Sequence, residues 1–263
     1  MGKFLIVSQI DRIEEYKKLA DQYGVGFEVN DFYNPVLLEK GKEQDAAIAA
    51  YEKHGLPEGS TMHGAFYDIT LFSYDPEIRR ISRKRMRQSM DIARRLKVKG
   101  VVFHTNGNPL VGSGDYDTWI VDETAKYMEK LLKQYPDIEI YLENMFDDTP
   151  EILRRISEKL QTYSNYGVCL DYAHACVFGH DFGDWVKQLS PYVRHLHIND
   201  NDLRRDLHLA VGAGLIDWEQ FRAYYLSHFQ DCTVLVETTE PEAQRKSLES
   251  LISFGILKKP DTH

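Results

Sequence analysis

The amino-acid sequence predicts an α/β fold, a single (β/α)8 TIM barrel over residues 1–263. Short apolar segments rich in Val, Ile and Phe recur along the chain, and each is followed by a longer stretch with helical periodicity. Eight such units in roughly 250 residues match the size of a closed barrel of eight parallel strands. An open sheet that binds a nucleotide carries a Gly-rich turn after its first strand, but Ser8-Gln9-Ile10-Asp11 stands there instead.

The predicted elements alternate regularly, and no low-complexity linker separates them. Asp75-Pro76 combines an N-capping side chain with a proline at the first helical position, so it marks the start of a helix. In that helix Ile78, Met86 and Met90 fall on one stripe. The strands are predicted over 4–8, 25–29, 60–65, 100–104, 138–143, 167–171, 193–198 and 232–237. The helices are predicted over 11–23, 37–53, 77–97, 119–134, 149–162, 183–189, 217–228 and 242–254.

Composition and charge narrow the class of protein. The 263 residues carry 32 Lys and Arg against 41 Asp and Glu, a net charge of −9, and 43% are hydrophobic. This is globular composition, and its acidity disfavours a nucleic-acid partner gripped by bulk charge. No apolar run is long enough for a membrane span, and the amino terminus is predicted to be a strand and not a signal peptide. Three cysteines without paired spacing predict a reduced, cytoplasmic protein.

Metal-ligand residue types stand at the carboxyl end of strand after strand. Because strand side chains alternate between two faces, residues two apart share a face. The neighbours of these residues are apolar, as Val101 and Phe103 are before His104, so the apolar set faces the helices and the polar set faces the barrel mouth. The strand-end groups are Glu28, His63, His104, Glu143, Asp171, His197 and Glu237.

Loops add three more candidates, namely His174 after strand 6 and Asp206 and His208 after strand 7. Imidazole and carboxylate in such numbers suit Zn²⁺, Mn²⁺, Co²⁺ or Mg²⁺, and the groups suffice for one to three ions. Each residue alone is more often a hydrogen-bonded core or salt-bridge residue. Together they favour a metal site, because so much buried carboxylate would otherwise lack a partner.

Several residues stay open between two interpretations. His195 faces inward one layer deeper than His197, where packing is favoured over function. Glu28 is either an ion-pair partner or a substrate contact. Arg204 and Arg205, in the loop after strand 7, either hold a substrate phosphate or carboxylate or pair with nearby acids. Four other histidines are assigned no role, namely His54, His180, His228 and His263.

Seven segments together resemble the xylose-isomerase-like TIM-barrel superfamily, which includes sugar phosphate isomerases and epimerases and endonuclease IV. The resemblance covers nearly the whole chain. The segments are HGAFYD (63–68), VVFHTNGNP (101–109), YLENM (141–145), GVCLDYAHACVFGHD (167–181), HLHINDND (195–202), RDLHLAVGAGLIDW (205–218) and VLVETTEPE (234–242).

The resemblance implies two different metal sites. In the isomerase and epimerase branch one divalent metal is bound by four groups, which correspond to Glu143, Asp171, His197 and Glu237. In the endonuclease IV branch three zinc ions use nine ligands, and every one has a matching residue type here. These are His63, His104, Glu143, Asp171, His174, His197, Asp206, His208 and Glu237.

The loops favour the sugar branch. Endonuclease IV has a basic and aromatic loop after strand 2, whereas segment 28–35 here is acidic and has no basic residue. HINDND followed by GAGLIDW is also closer to isomerase-type members, although Ala213 stands where their usual form has Glu. The basic residues of helix 77–97 are interpreted as a solvated outer face, in preference to a DNA-binding stripe.

The resemblance therefore implies a metal-dependent sugar or sugar phosphate isomerase or epimerase. Glu143 and Glu237 would exchange a proton with a small polyhydroxy carbonyl substrate through a metal-stabilised enediolate. His174 would orient a substrate hydroxyl, with Arg205, Glu28, Tyr67 and Trp119 as further substrate contacts. The alternatives are an endonuclease IV-type zinc phosphoesterase and a sugar-binding scaffold. The sequence leaves open whether the protein is a homo-oligomer, although barrels of this kind often pair through outer helices.

Overall fold

Eight parallel strands close into a barrel in the computed structural model, which describes residues 4–111, 113–179 and 182–259. Each strand pairs with its neighbour in sequence, and β8 closes the ring on β1. This confirms the predicted fold class. The strands are β1 Phe4–Ser8, β2 Gly26–Val29, β3 Thr61–His63, β4 Gly100–His104, β5 Glu139–Glu143, β6 Tyr166–Asp171, β7 Val193–Ile198 and β8 Thr233–Val236.

The register brings the polar strand ends to one level. His104 is paired with Glu143 across β4 and β5, and Asp171 with His197 across β6 and β7. Strand β3 is shorter than predicted and ends before Gly64, where a Cβ atom would collide with the ring of Phe103. Polar groups that are distant in sequence therefore meet at one edge of the barrel.

Helices form the outer ring. The predicted helix 37–53 is divided in two, α5 begins earlier than its predicted start at 119, and α7 follows β6 directly and was not predicted. A 3-10 turn precedes α1, and a π-helical turn follows α9. The helices are α1 Ile13–Tyr23, α2 Pro35–Leu38, α3 Gly41–His54, α4 Pro76–Leu96, α5 Gly114–Gln134, α6 Glu151–Leu160, α7 Tyr172–Phe178, α8 Phe182–Leu189, α9 Trp218–Tyr224 and α10 Pro241–Ser253.

Local chemistry explains these helix ends. Asp75 accepts a hydrogen bond from the backbone N–H of Glu77 at 2.7 Å and so caps α4, as predicted. The early start of α5 has Asp115 and Asp117 in its first turn, where negative charge is favourable. In α7 the cap is Asp171, whose Oδ1 accepts from the N–H of His174 at 2.6 Å. A predicted ligand therefore also starts a helix.

The main apolar core lies between the barrel and the helices, and it includes the outward strand residues Val101, Phe103 and Leu142. Two smaller apolar groups lie inside the barrel. The basic face of α4 is paired with acids, for example Arg83 with Glu123 at 3.0 Å, which agrees with a solvated outer helix. Within the described ranges, none of the helices combines the length and apolarity that crossing a membrane needs.

Candidate metal centre and pocket

Four residues form what we call the deep cluster, which consists of Glu143, Asp171, His197 and Glu237. They stand at the ends of β5, β6 and β7 and directly after β8, and their ligand atoms all lie within 4.8 Å of one another. His197 Nδ1 lies 3.2 Å from Glu143 Oε1 and 3.5 Å from Glu237 Oε2. Three of the four side chains are fully buried, and that of Glu237 is 13% exposed.

The deep cluster contains several polar atoms without a hydrogen-bond partner among the described residues. They are both carboxylate oxygens of Glu143, Asp171 Oδ2, Glu237 Oε2 and both ring nitrogens of His197. Leaving such atoms buried and unpaired costs several kcal/mol, on the order of 1–3 each. A divalent cation accepts lone pairs from carboxylate and imidazole together, so this donor set fits one.

The electrostatics of the cluster lead to the same conclusion. Burial and the neighbouring carboxylates of Glu237 and Glu143 raise the pKa of Asp171 well above its usual range. Burial acts in the same sense on Glu143, but the charges of His197 and His104 outweigh it and hold the pKa of Glu143 well below its usual range. Burial thus disfavours the ionised form of Asp171, and a bound cation would favour it.

An upper cluster shares Glu143 with the deep cluster and adds His63 and His104. The Nε2 atoms of the two histidines are 3.1 Å apart, and His104 Nε2 lies 3.2 Å from Glu143 Oε2. His63 Nδ1 donates to the carbonyl oxygen of Gly64 at 2.9 Å. Because a carbonyl only accepts, the proton of neutral His63 sits on Nδ1 and the Nε2 lone pair faces the cluster.

An outer cluster consists of His174, Asp206 and His208. Asp206 Oδ2 lies 3.3 Å from His174 Nε2 and 2.9 Å from His208 Nε2. Both histidines donate through Nδ1 to backbone carbonyls, those of Asn144 and Glu237, so in the neutral rings the Nε2 lone pair is turned inward. His208 has a φ of +47°, a left-handed conformation that few non-glycine residues adopt. The structure therefore brings all nine predicted ligands to one end of the barrel.

The loop that carries Asp206 and His208 is pinned by Asp200, a residue that sequence reasoning did not single out. Its carboxylate accepts from Trp218 Nε1 at 2.8 Å and from the backbone N–H groups of Gly212 and Ile216 at 2.9 and 3.2 Å. Gly214 packs so closely that a Cβ atom there would collide with the backbone of Asn201. The Asp within HINDND was the available signal, because a buried acid after a strand needs donors.

A pocket of about 330 Å³ opens above the clusters. Tyr33, Phe66 and Tyr67 form an aromatic wall, with the Tyr33 and Phe66 rings stacked at 5.6 Å. Among the described residues that line the pocket there is no Lys or Arg. The lining residues besides the aromatic wall are Val7, Gln9, Asn30, His63, His104, Met145, His174, Asp206, His208, Glu237 and Thr239. Gln9, Asn30, Met145 and Thr239 were missed, although each follows a strand end.

The structure corrects three predicted substrate contacts. Glu28 is 1% exposed and lies beneath the pocket, between His195 and His197. Arg205 is turned to solvent and pairs with Asp202 at 2.8 Å, since an exposed acid three residues away satisfies its guanidinium. Trp119 lies on α5, where its Nε1 donates to the carbonyl of Phe72 at 2.7 Å and its ring stacks on Tyr74.

The remaining predictions have mixed outcomes. Tyr67 and His174 line the pocket, as expected of substrate contacts. His54 pairs with Glu14 at 3.2 Å and His228 packs on Phe229, so neither approaches the site. His180 and His263 lie outside the described residues.

Comparison with known proteins gives the family. Residues 9–254 match the family described as Xylose isomerase-like TIM barrel, which is nearly the whole chain. The chain belongs to this family.

The chain is similar to proteins described as endonucleases and to proteins described as epimerases. A probable endonuclease 4 of Halorhodospira halophila is 27% identical over 204 residues, 68% of this chain and 67% of that protein. The TTHB071 protein from Thermus thermophilus, solved after soaking with ZnCl2, is 27% identical with a TM-score of 0.78, over 96% of this chain and 98% of that one.

A D-tagatose 3-epimerase-like protein is 21% identical with a TM-score of 0.74, over 96% of this chain and 97% of that one, and at this identity the likeness shows the fold. The chain is thus placed in an enzyme superfamily with both epimerase neighbours and endonuclease 4 homologues. Family membership leaves the choice of reaction to the site itself.

Proposed function

We propose that this protein is a divalent-metal-dependent isomerase or epimerase of a small polyhydroxy carbonyl compound. The observation that carries the proposal is the pair of carboxylates, Glu143 and Glu237, which both approach His197 Nδ1 below a pocket of about 330 Å³ with an aromatic wall. Clefts of roughly 300–1,000 Å³ accommodate small molecules. Duplex DNA would require a wide basic surface around the mouth.

The chemistry is transfer of the weakly acidic proton beside a carbonyl group. A divalent ion held by the deep cluster would supply Lewis acidity, which stabilises negative charge that develops on oxygen. Zn²⁺, Mn²⁺, Co²⁺ and Mg²⁺ all accept this donor set, and the three clusters provide for one to three ions. Glu237 lines the pocket, so its carboxylate would take the proton from the substrate carbon. Glu143, fully buried beside Glu237 in the deep cluster, would return it.

The pocket lining favours an uncharged sugar over a sugar phosphate. The described lining residues offer imidazole, amide, hydroxyl and carboxylate groups together with the rings of Tyr33, Phe66 and Tyr67, and no cationic side chain of the Lys or Arg type. Aromatic rings provide a flat apolar surface for the C–H face of a sugar, and the polar groups can bond its hydroxyls. His174 would orient one of those hydroxyls.

Exchange of substrate hydrogen with deuterated water tests this proposal. Protein loaded separately with Mn²⁺, Co²⁺, Zn²⁺ and Mg²⁺ is incubated with ketoses, inososes and their phosphates, and deuterium at the carbon beside the carbonyl is followed by NMR. We expect exchange and conversion with at least one free sugar, and loss of both in Glu237→Gln. The absence of exchange and conversion across the whole panel would overturn the proposal.

A second candidate is an endonuclease IV-type phosphoesterase, for one specific reason. A single-metal isomerase needs only the deep cluster, yet the upper and outer clusters have the same ligand chemistry, with Nε2 lone pairs of His63, His174 and His208 turned inward. Three ions together are suited to binding a phosphate ester. A duplex with one abasic site, incubated with zinc-replete protein, separates the candidates, because cleavage supports this one and an intact duplex rejects it.

A further inference from the structure

Beneath the deep cluster lies a second polar layer that neither proposed reaction uses. It contains Glu28 at β2 and His195 on β7, both fully buried inside the barrel. A buried carboxylate is costly unless its oxygens are paired, so its retention there calls for a physical reason.

Both oxygens of Glu28 are engaged. Oε2 accepts from Thr61 Oγ1 at 2.7 Å and lies 3.2 Å from His195 Nε2. Oε1 lies 3.2 Å from His197 Nε2. His195 is itself held, because its Nδ1 bonds to Thr233 Oγ1 and its ring stacks on Tyr141 at 5.1 Å. The carboxylate is thus fixed from two sides and turned toward the metal-ligand candidate His197.

The two nitrogens of His197 face different chemistry. Nδ1 faces Glu143 Oε1 and Glu237 Oε2, and Nε2 faces Glu28. A neutral imidazole has one N–H and one lone pair, and an ionised carboxylate only accepts. A cation held by Glu143 and Glu237 would take the Nδ1 lone pair, so the proton of the neutral ring would be on Nε2, 3.2 Å from the carboxylate of Glu28. Carboxylate partners of this kind orient metal-binding histidines in other proteins.

We propose that Glu28 is a positioning residue that fixes the Nε2–H tautomer of His197 and thereby prepares the deep cluster to bind a divalent cation. This rests on the metal dependence in the proposed function, but not on which reaction follows. Glu28 does not touch substrate in this arrangement. Its effect reaches the site through one imidazole ring.

The test is cation binding, measured without substrate. Glu28→Gln keeps the size of the side chain and removes its charge, and its amide group can place an N–H against His197. The matched control is Asp31→Asn, which removes a half-buried carboxylate just after the same strand, bonded to Tyr51 and not to a histidine. Zn²⁺ affinity is measured by competition with a chromophoric chelator, the number of bound ions by elemental analysis, and folding by circular dichroism.

We expect Glu28→Gln to weaken binding of one ion by about 10–100-fold while the fold is retained, and Asp31→Asn to bind as the wild type does. Unchanged Zn²⁺ affinity in Glu28→Gln would overturn the proposal, and so would an equal loss in both variants. Loss of affinity in Glu28→Gln alone supports it even if the sugar panel shows no reaction, a result that would reject only the proposed activity.

A measurement on the wild-type chain does not depend on the variant folding. Long-range ¹H–¹⁵N correlation spectra of the zinc-loaded protein show which nitrogen of each histidine carries a proton. We expect His197 to be protonated at Nε2 with Nδ1 on the metal. A proton on Nδ1 would overturn the proposal.

Discussion

The deep and outer clusters are built from the same residue types but supported in different ways. The deep cluster stands on three strand ends and the residue after β8, and its side chains are 0–13% exposed. The outer cluster depends on a long loop, and Asp206 and His208 are 20% and 39% exposed. The barrel ladder fixes the first set, whereas Asp200 and the left-handed backbone of His208 fix the second.

This difference indicates separate roles. Strand ends in a closed ladder hold ligands rigidly, so the deep cluster suits an ion that takes part in every turnover. A loop tolerates change and adjusts to what it binds, so the outer cluster suits an ion or a hydroxyl contact that tunes specificity. The following predictions test that division, from the largest expected effect to the smallest.

Glu143→Gln should have the largest effect, because Glu143 belongs to both the deep and the upper cluster. We expect kcat/KM for the substrate found in the exchange panel to fall by about 10³-fold. Glu139→Gln is the control, since Glu139 begins the same strand but bonds to Tyr141 and Lys99 away from the site. Comparable losses in both variants would mean that disturbance of β5, and not loss of the ligand, explains the effect.

Removal of metal should destabilise the fold, because the buried carboxylates then lose their counter-charge. At free metal about 100 times the dissociation constant, binding contributes roughly 2.7 kcal/mol, which corresponds to a change of about 5–10 °C in Tm for a chain of this size. Scanning calorimetry with and without a chelator measures it. Glu143→Gln should show a much smaller shift, and a shift as large as that of the wild type would place the stabilising ion elsewhere.

Asp200→Asn should loosen the outer cluster alone. The amide cannot accept from all four donors that Asp200 now satisfies, so we expect a loss of roughly 1–3 kcal/mol in the free energy of unfolding. Denaturant titration and ion counting measure it, with Asp202→Asn in the same loop as the control. Release of the ion of the deep cluster would contradict the independence of the two regions.

His208→Asn separates the two candidate reactions. If the deep cluster alone carries catalysis, kcat/KM for the sugar should fall by only about tenfold, which is roughly 1.4 kcal/mol. Steady-state kinetics and ion counting on the same preparation measure it. A loss as complete as that of Glu143→Gln would show that the outer cluster is part of the reacting centre, as a three-ion phosphoesterase requires.

Arg205→Gln should change almost nothing. Arg205 is exposed and its pair with Asp202 is a surface ion pair, a class worth about 0–1 kcal/mol. We expect kcat and KM within about twofold of wild type and an unchanged Tm. A clear rise in KM alone would restore the substrate contact that the sequence predicted for this residue.

Much of the fold and the ligand set could be predicted because strand periodicity acts locally. The face of the strand on which His104 or Glu143 lies is set by alternation with its immediate neighbours. The same alternation of apolar and polar residues recurs in each strand. The split of helix 37–53 and the short helix α7 were not predicted, since both depend on capping and close packing. Glu28 faces the barrel interior as the ligands do. Alternation does not give depth, so the sequence could not distinguish a position beneath the pocket from a position in its lining.

The sequence by itself determined the β/α alternation, the family and the nine ligand types, because residue identity and spacing are enough to fix which face of a strand each side chain occupies. Only the tertiary structure decided how the nine divide into three clusters, that Glu28 supports His197 and that Arg205 and Trp119 lie away from the pocket. Those facts depend on closure of the eight-stranded barrel and on which hydrogen-bond and ion-pair partners, far apart in sequence, each side chain reaches. The spacing of residues along one strand contains no information about barrel closure or about these partners.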